Sequence, residues 1–118
     1  MKYMLLIYHD EPSWDGVPEA ERQQIYLEYR KLRADLEARG QFVTGSQLQP
    51  ISTATSVRVR DGKELVTDGP FAETHEQLGG YFLIEAENLD EAVTWASKMP
   101  HLSDGGVVEV RPIWPMGE

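Results

Sequence analysis

A tight hairpin divides the chain into two halves of the same build, and this division constrains the fold more than any other feature. Two alternating runs, SVRVR and KELVT, flank Asp61-Gly62, and an Asp-Gly pair is strongly favoured in a two-residue hairpin turn. On each side of the hairpin the sequence predicts a strand, a helix and a second strand. This order predicts a ferredoxin-like α+β fold with an added hairpin, in which two helices cover one face of an antiparallel sheet.

Hydrophobic periodicity places the individual elements. The apolar run at residues 2–9 predicts a buried first strand. A single apolar stripe predicts a helix of about 20 residues that opens at Pro18, with Ile25, Tyr29, Leu32 and Leu36 on the stripe. Asn88 is the predicted cap of a second helix that ends before Pro100. Its predicted stripe is Leu89, Ala92, Val93, Ala96 and Met99. The remaining strands are predicted at residues 41–48, 80–86 and 106–114.

Composition limits the classes of function. The chain has 118 residues, which predicts one domain over residues 1–118. It has no cysteine, which excludes thiolate catalysis and Cys-based metal sites and suits a reducing cytoplasm. A net charge of −9 argues against nucleic acid or an anionic membrane as a partner. No run approaches the ~20 apolar residues of a membrane span. We therefore predict a cytoplasmic protein.

Strand parity predicts two unlike sheet faces, because successive side chains point to opposite sides. Phe82, Ile84, Val108 and Val110, together with hairpin Val57 and Val59, make up the predicted apolar face that receives the helices. The opposite face is mixed, with Tyr81, Leu83 and Ile113 beside Arg58, Glu85, Glu109 and Arg111. A mixed face of this size, with Trp114 at its end, predicts packing against a second copy of the chain, a homodimer.

The stretch VTDGPFAETHEQLGGY at residues 66–81 resembles the signature of the DGPF branch of the YCII-related proteins. The flanking MKYMLLIY, NLDEA and EVRP segments resemble that family as well. The resemblance implies a dimeric α+β barrel of ferredoxin-like subunits. It also implies a small, soluble bacterial protein of a kind whose activity is often unproven and which is often encoded beside extracytoplasmic-function sigma factors.

One departure from the wider family bears on catalysis. There, a His on the first helix and an Asp just before the Pro that ends the second helix are proposed as a catalytic pair. Approximate register puts Tyr29 and Met99 at those places, and neither can serve in such a pair. Any acid/base chemistry must therefore use other groups.

The signature loop offers two of those groups. Asp68 is a candidate general acid or base if partial burial moves its pKa toward neutrality, with His75 or Tyr81 as its partner. The alternative is a structural corner, in which the Asp68 carboxylate accepts backbone N–H bonds, Gly69 gives conformational freedom and Pro70 fixes φ. Gly79-Gly80 gives the chain room to enter the next strand.

Five other residues are candidate substrate-binding groups: His9, Arg58, Phe71, Tyr81 and Arg111. Arginine suits a carboxylate or carbonyl, although Arg58 and Arg111 also suit cross-strand pairs with acids, and Phe71 also suits a core plug. The three histidines have no spacing typical of a metal site, so no metal is predicted.

Two hypotheses about function remain open. One is a small-molecule-binding enzyme that uses cofactor-free acid/base chemistry at the Asp68 loop. The other is a non-catalytic accessory or ligand-sensing domain. The absence of the family's proposed catalytic pair favours this second hypothesis.

Overall fold

The first strand, β1 (Lys2–His9), lies at the centre of a four-stranded antiparallel sheet in the computed structural model, which describes residues 1–115. Its residues alternate in burial, with Tyr3, Leu5 and Ile7 in the core. The other elements are α1 (Glu11–Asp15), α2 (Glu19–Ala38), β2 (Phe42–Gln47), β3 (Thr55–Arg60), β4 (Lys63–Asp68), β5 (Gln77–Glu85), α3 (Leu89–Ala96) and β6 (Val107–Pro112), with 3-10 turns at Ile51–Thr53 and Pro100–Asp104. The strand order β2-β5-β1-β6 confirms the ferredoxin-like α+β fold.

The predicted stripe of the long helix α2 is confirmed, because Leu32 and Leu36 are buried in the core. The prediction for α3 is partly wrong. Ala92, Ala96 and Met99 are buried, but Leu89 and Val93 are exposed and Trp95 is buried instead. The helix also ends at Ala96, before the turn that leads to Pro100. The Asn88 cap is confirmed, since its side chain accepts a hydrogen bond of 2.9 Å from the backbone N–H of Glu91.

The hairpin of β3 and β4 forms a two-stranded sheet of its own. Its turn is the predicted one, with positive φ at Asp61 and Gly62. The prediction that Val57 and Val59 face the helices is wrong, because their exposures are 63% and 71%. Parity correctly puts them on one face of the hairpin, but periodicity alone does not tell which surface that face contacts.

The segment between β1 and α2, for which the sequence predicts no helix, contains the short helix α1. Pro12 lies in its first turn, and the Ser13 hydroxyl donates a hydrogen bond of 2.6 Å to the Asp10 carboxylate. The prediction missed this helix because a stretch with Asp, Pro and Gly is typical of turns. No helix within residues 1–115 is long and apolar enough to cross a membrane.

Candidate functional site

A cavity of about 440 Å³ opens between α2 and the helix-facing side of the sheet. Its walls come from β1, α1, α2, β2, β5 and the 3-10 turn Pro100–Asp104. Aromatic and imidazole rings dominate the lining, contributed by His9, Trp14, Tyr26, Tyr29, Phe42, Phe82 and His101. A largely apolar cavity of this volume with a few polar groups is the usual form of a small-molecule site.

Two histidines from opposite ends of the chain meet in this cavity. The rings of His9 and His101 stack with their centroids 4.8 Å apart. The Trp14 ring, from α1, contacts both imidazoles: its centroid lies 5.9 Å from that of His9 and 5.1 Å from that of His101. His101 itself is buried, in the 3-10 turn that follows α3. We call His9, Trp14, Tyr29 and His101 the histidine cluster.

Tyr29 fixes the orientation of His101. The Tyr29 hydroxyl and Nδ1 of His101 are 2.5 Å apart. A phenol is a stronger acid than a neutral imidazole N–H, so the hydroxyl donates and Nδ1 accepts. The proton of the neutral imidazole is then on Nε2. This atom is buried and has no hydrogen-bond partner among the described residues, so its N–H is an unsatisfied donor.

Burial keeps the cluster neutral. Burial, and then the neighbouring His9, lower the pKa of His101 to about 4, although Asp104 acts in the opposite direction. Burial also lowers the pKa of His9, against the opposing effect of Glu11, Asp10 and Asp15. The pKa of Tyr29 is raised, again chiefly by burial. Near neutral pH the cluster therefore contains two uncharged imidazoles and one phenol.

A bulge in β5 makes room for the His9 ring. The pairing of β1 with β5 shifts between Ile7 and Tyr8, which leaves Gly79 as the extra residue. A Cβ on Gly79 would lie 2.6 Å from Nδ1 of His9, so glycine is required for close approach. The signature thus contributes to the cavity through its glycine pair.

Buried Gln77, also in the signature, holds α1 in place. Its side-chain oxygen accepts a hydrogen bond of 2.9 Å from the backbone N–H of Glu11, and its amide nitrogen donates to the carbonyl of Thr74 at 2.7 Å. The Glu11 carboxylate in turn accepts from the backbone N–H of Ile51 at 3.1 Å. These contacts fix the helix that carries Trp14.

The structure distributes the predicted site residues over three places. His9 lies in the cavity. Arg58 and Phe71 line a shallower cavity of about 280 Å³ on the hairpin, and Asp68 and His75 lie exposed on or after β4. Tyr81 and Arg111 lie on the mixed sheet face, opposite the helices.

The signature corner is held by backbone contacts rather than by Asp68. The N–H of Gly69 donates to the carbonyl of Ala54 at 2.7 Å, and the Ser56 hydroxyl donates to the carbonyl of Gly69 at 2.8 Å. Gly69 has a positive φ of 95°, which favours glycine. Within residues 1–115, no hydrogen bond or ion pair reaches the Asp68 carboxylate.

Sequence reasoning did not bring Trp14, Tyr26, Tyr29 and His101 together as a site. One signal was present, because the family register singled out Tyr29 and Met99. Met99 lies in the core, while His101, two positions further along, contacts Tyr29. Among the residues described, no group of three or more His, Asp or Glu side chains could hold a metal ion.

The protein is thus of the α+β class, with an aromatic cavity between α2 and the sheet. The chain belongs to the YCII-related domain family, whose sequence model matches residues 1–117. It is also similar to an uncharacterised protein of Rhizobium meliloti (strain 1021). The two are 32% identical over 114 residues, which cover 96% of this chain and 92% of that protein.

Proposed function

We propose that the protein binds a small organic molecule in the cavity of the histidine cluster and transfers a proton on it without a cofactor. The observation that carries this proposal is at His101, a residue that lines the cavity, whose Nε2 is buried and has no hydrogen-bond partner among the described residues. Unsatisfied buried donors are rare in folded proteins and cost about 1–3 kcal/mol. A ligand oxygen that accepts this hydrogen bond recovers that cost.

The cluster supplies the groups that enolisation requires. His9, neutral near neutral pH, takes a proton from a carbon beside a carbonyl group. The C–H electron pair then forms the C=C bond of an enolate, and the carbonyl oxygen receives the negative charge. His101 donates its Nε2 proton in a hydrogen bond to that oxygen, as a neutral imidazole can. Glu11, Asp10 and Asp15 oppose the burial that lowers the pKa of His9, and so help to stabilise its protonated form until the proton returns to the substrate at another atom.

The test uses the ring nitrogens of the three histidines as reporters. In ¹⁵N NMR near neutral pH, we expect His101 to be protonated at Nε2 and unprotonated at Nδ1. Members of a fragment library should shift the resonances of His9 and His101 but not those of exposed His75, the internal control. A doubly protonated His101, or a library that moves no His9 or His101 resonance, contradicts the proposal.

Asp68 and His75 remain a second candidate pair for acid/base chemistry. Both are exposed, and Asp68 belongs to the hairpin, which has a shallow cavity of its own. Because the Asp68 carboxylate makes no hydrogen bond or ion pair among residues 1–115, we expect Asp68→Asn to keep the wild-type Tm within about 1 °C. Thermal unfolding checks this, and a fall of several degrees would support the structural corner. Loss of ligand binding at an unchanged Tm would place Asp68 in a site.

A homodimer through the mixed sheet face is part of the proposal. Met4, Leu6, Tyr81 and Leu83 are only half-buried on this face, and Trp114 is 81% exposed. A face with this much apolar surface is typical of an interaction site.

The alternative function, a non-catalytic accessory or ligand-sensing domain in a sigma-factor context, shares the cavity but not the chemistry. The exposed apolar hairpin, which offers a surface to another protein, favours it. Proton exchange separates the two: a bound carbonyl compound should exchange its α-hydrogen for deuterium in D₂O only if the protein is catalytic.

A further inference from the structure

We infer that the ligand of the histidine-cluster cavity is a small planar anion, an aromatic or α,β-unsaturated carboxylate. This inference rests on the proposed function and adds the class of substrate. It is carried by the arrangement of charge and of flat walls around the cavity.

Among the described residues, one cation at the rim of the cavity is uncommitted. Arg30 and Arg33 of α2 both line the cavity. Arg33 is engaged, since its Nε lies 3.2 Å from the Glu37 carboxylate and its guanidinium lies 4.6 Å from the centre of the Phe42 ring. Arg30, by contrast, makes no hydrogen bond or ion pair with any residue from 1 to 115. Its guanidinium fork therefore remains available for a bidentate contact with a carboxylate.

Acidic side chains fix the direction in which an anion enters. Glu11, Asp10 and Asp15 interact electrostatically with His9, so while His9 is neutral they disfavour an anionic group of the entering ligand at that end. The anionic group of the ligand therefore lies at Arg30. Its uncharged end, a carbonyl or hydroxyl oxygen, points toward His9 and the Nε2–H of His101. In a chain with a net charge of −9, this local arginine decides whether an anion enters.

The walls select a flat ligand. Trp14 and Tyr26 meet edge to face at 5.8 Å, and Phe42 and Phe82 do so at 5.7 Å. Ring faces and edges held in this way pack well against a conjugated molecule. Conjugation also suits the proposed chemistry, because it spreads the charge that forms when the proton leaves.

Three probes of similar size separate charge from planarity. Cinnamate is planar and anionic, cinnamamide is planar and neutral, and 3-cyclohexylpropanoate is anionic and not planar. Affinity is read from the indole N–H resonance of Trp14, with that of exposed Trp114 as the internal control. We expect cinnamate to bind about tenfold more tightly than cinnamamide, the order expected for one charge-assisted hydrogen bond. It should also bind more tightly than 3-cyclohexylpropanoate, which has the same charge but no flat conjugated face for the aromatic walls to contact.

Arg30→Gln tests the assigned cation. It should weaken cinnamate about tenfold and leave cinnamamide unchanged, and because Arg30 is exposed and Gln is a good helix former, the fold should persist. The matched control is Lys31→Gln, which removes the same charge from the next residue outside the cavity. Equal affinity for cinnamate and cinnamamide, or equal effects of the two variants, overturns the anionic class. Equal affinity for cinnamate and 3-cyclohexylpropanoate overturns planarity.

Those outcomes leave the proposed function standing, because a ligand still occupies the cavity. If none of the three probes shifts Trp14, the substrate class is wrong. The histidine resonances and the fragment library then judge the proposed function separately.

Discussion

At the scale of single residues, the site depends on a glycine as much as on its rings. Gly79 contributes by having no side chain, because the His9 ring occupies the space in which a Cβ would lie. The bulge at Gly79 bends β5 and leaves space for the imidazole of His9. This explains why the signature has a glycine at this position.

We expect Gly79→Ala to displace the His9 ring. The new Cβ would lie within 2.6 Å of Nδ1, and overpacking of this kind costs about 1–3 kcal/mol. The Tm should fall by several degrees and the ring resonances of His9 should shift. Gly16→Ala is the matched control, because its φ is −82° and the nearest atom to a new Cβ is the Ser13 carbonyl oxygen at 3.5 Å. Equal Tm values for the two variants would show that the His9 ring does not depend on the space at Gly79.

His101 should make stability depend on pH in acid solution. Its pKa is about 4 in the folded chain against an ordinary value of 6.5, so the unfolded chain takes up the proton first as the pH falls. Its contribution to folding is complete above about pH 6.5 and is lost progressively toward pH 4. His101→Asn retains an acceptor for Tyr29 and removes the titration. The Tm of the variant should fall less steeply than that of the wild type over this range, and parallel curves would contradict the assignment.

At the scale of elements, α1 is a wall of the cavity held by few contacts. Its five residues are too few for a stable isolated helix, and none of them is fully buried. Two hydrogen bonds of Glu11, which donates its N–H to Gln77 and accepts from the N–H of Ile51, therefore decide where Trp14 lies.

Gln77→Ala should release α1. The change removes the acceptor for the Glu11 N–H and two donor contacts to the carbonyls of Thr74 and His75. Amide hydrogen exchange over residues 11–16 should accelerate, and the Trp14 indole resonance should move toward its solvent-exposed position. Gln23→Ala, which removes only an exposed bond to the Glu19 side chain, should leave both unchanged. Unaltered exchange in the Gln77 variant would show that other contacts hold α1.

Elements and site differ in how far sequence predicts them. Local patterns predicted the strands of the sheet, α2 and the Asp61-Gly62 turn, because each of these patterns lies within one segment of the chain. The site joins residues such as Tyr29 and His101, which are 72 positions apart, so it is defined by packing that no local pattern contains. Asp68 was a candidate because it lies in the signature. In the structure, however, the signature residues that hold the local structure in place are largely Gln77, Gly69 and Gly79.

At the scale of the whole molecule, the chain forms a thin plate of 48 × 44 × 18 Å. Its radius of gyration is 16.2 Å, whereas a compact domain of this length has roughly 13–14 Å. The separate hairpin and the single layer of helices both contribute, and within residues 1–115 the side chains of the mixed sheet face remain half-buried or exposed.

We expect Leu83→Glu to give monomers. Leu83 lies on the mixed face opposite the helices, so a carboxylate there opposes pairing without entering the core. Val59→Glu places the same charge on the exposed hairpin and should leave the dimer intact. Sedimentation velocity at micromolar concentration measures both. A wild type that sediments as a monomer, or a Leu83 variant that still pairs, would remove this face as the interface.

The free-standing hairpin also governs how the protein behaves in solution. Both of its strands have an unpaired edge, and exposed edges with apolar side chains recruit strands from other molecules. Arg58, Arg60 and Lys63 share one face of this ribbon and keep neighbouring ribbons apart by mutual repulsion. Salt screens such repulsion over about 10 Å at 0.1 M ionic strength. Concentrated stocks should therefore stay clear in dilute buffer and become turbid as salt is added, the reverse of ordinary salting-in.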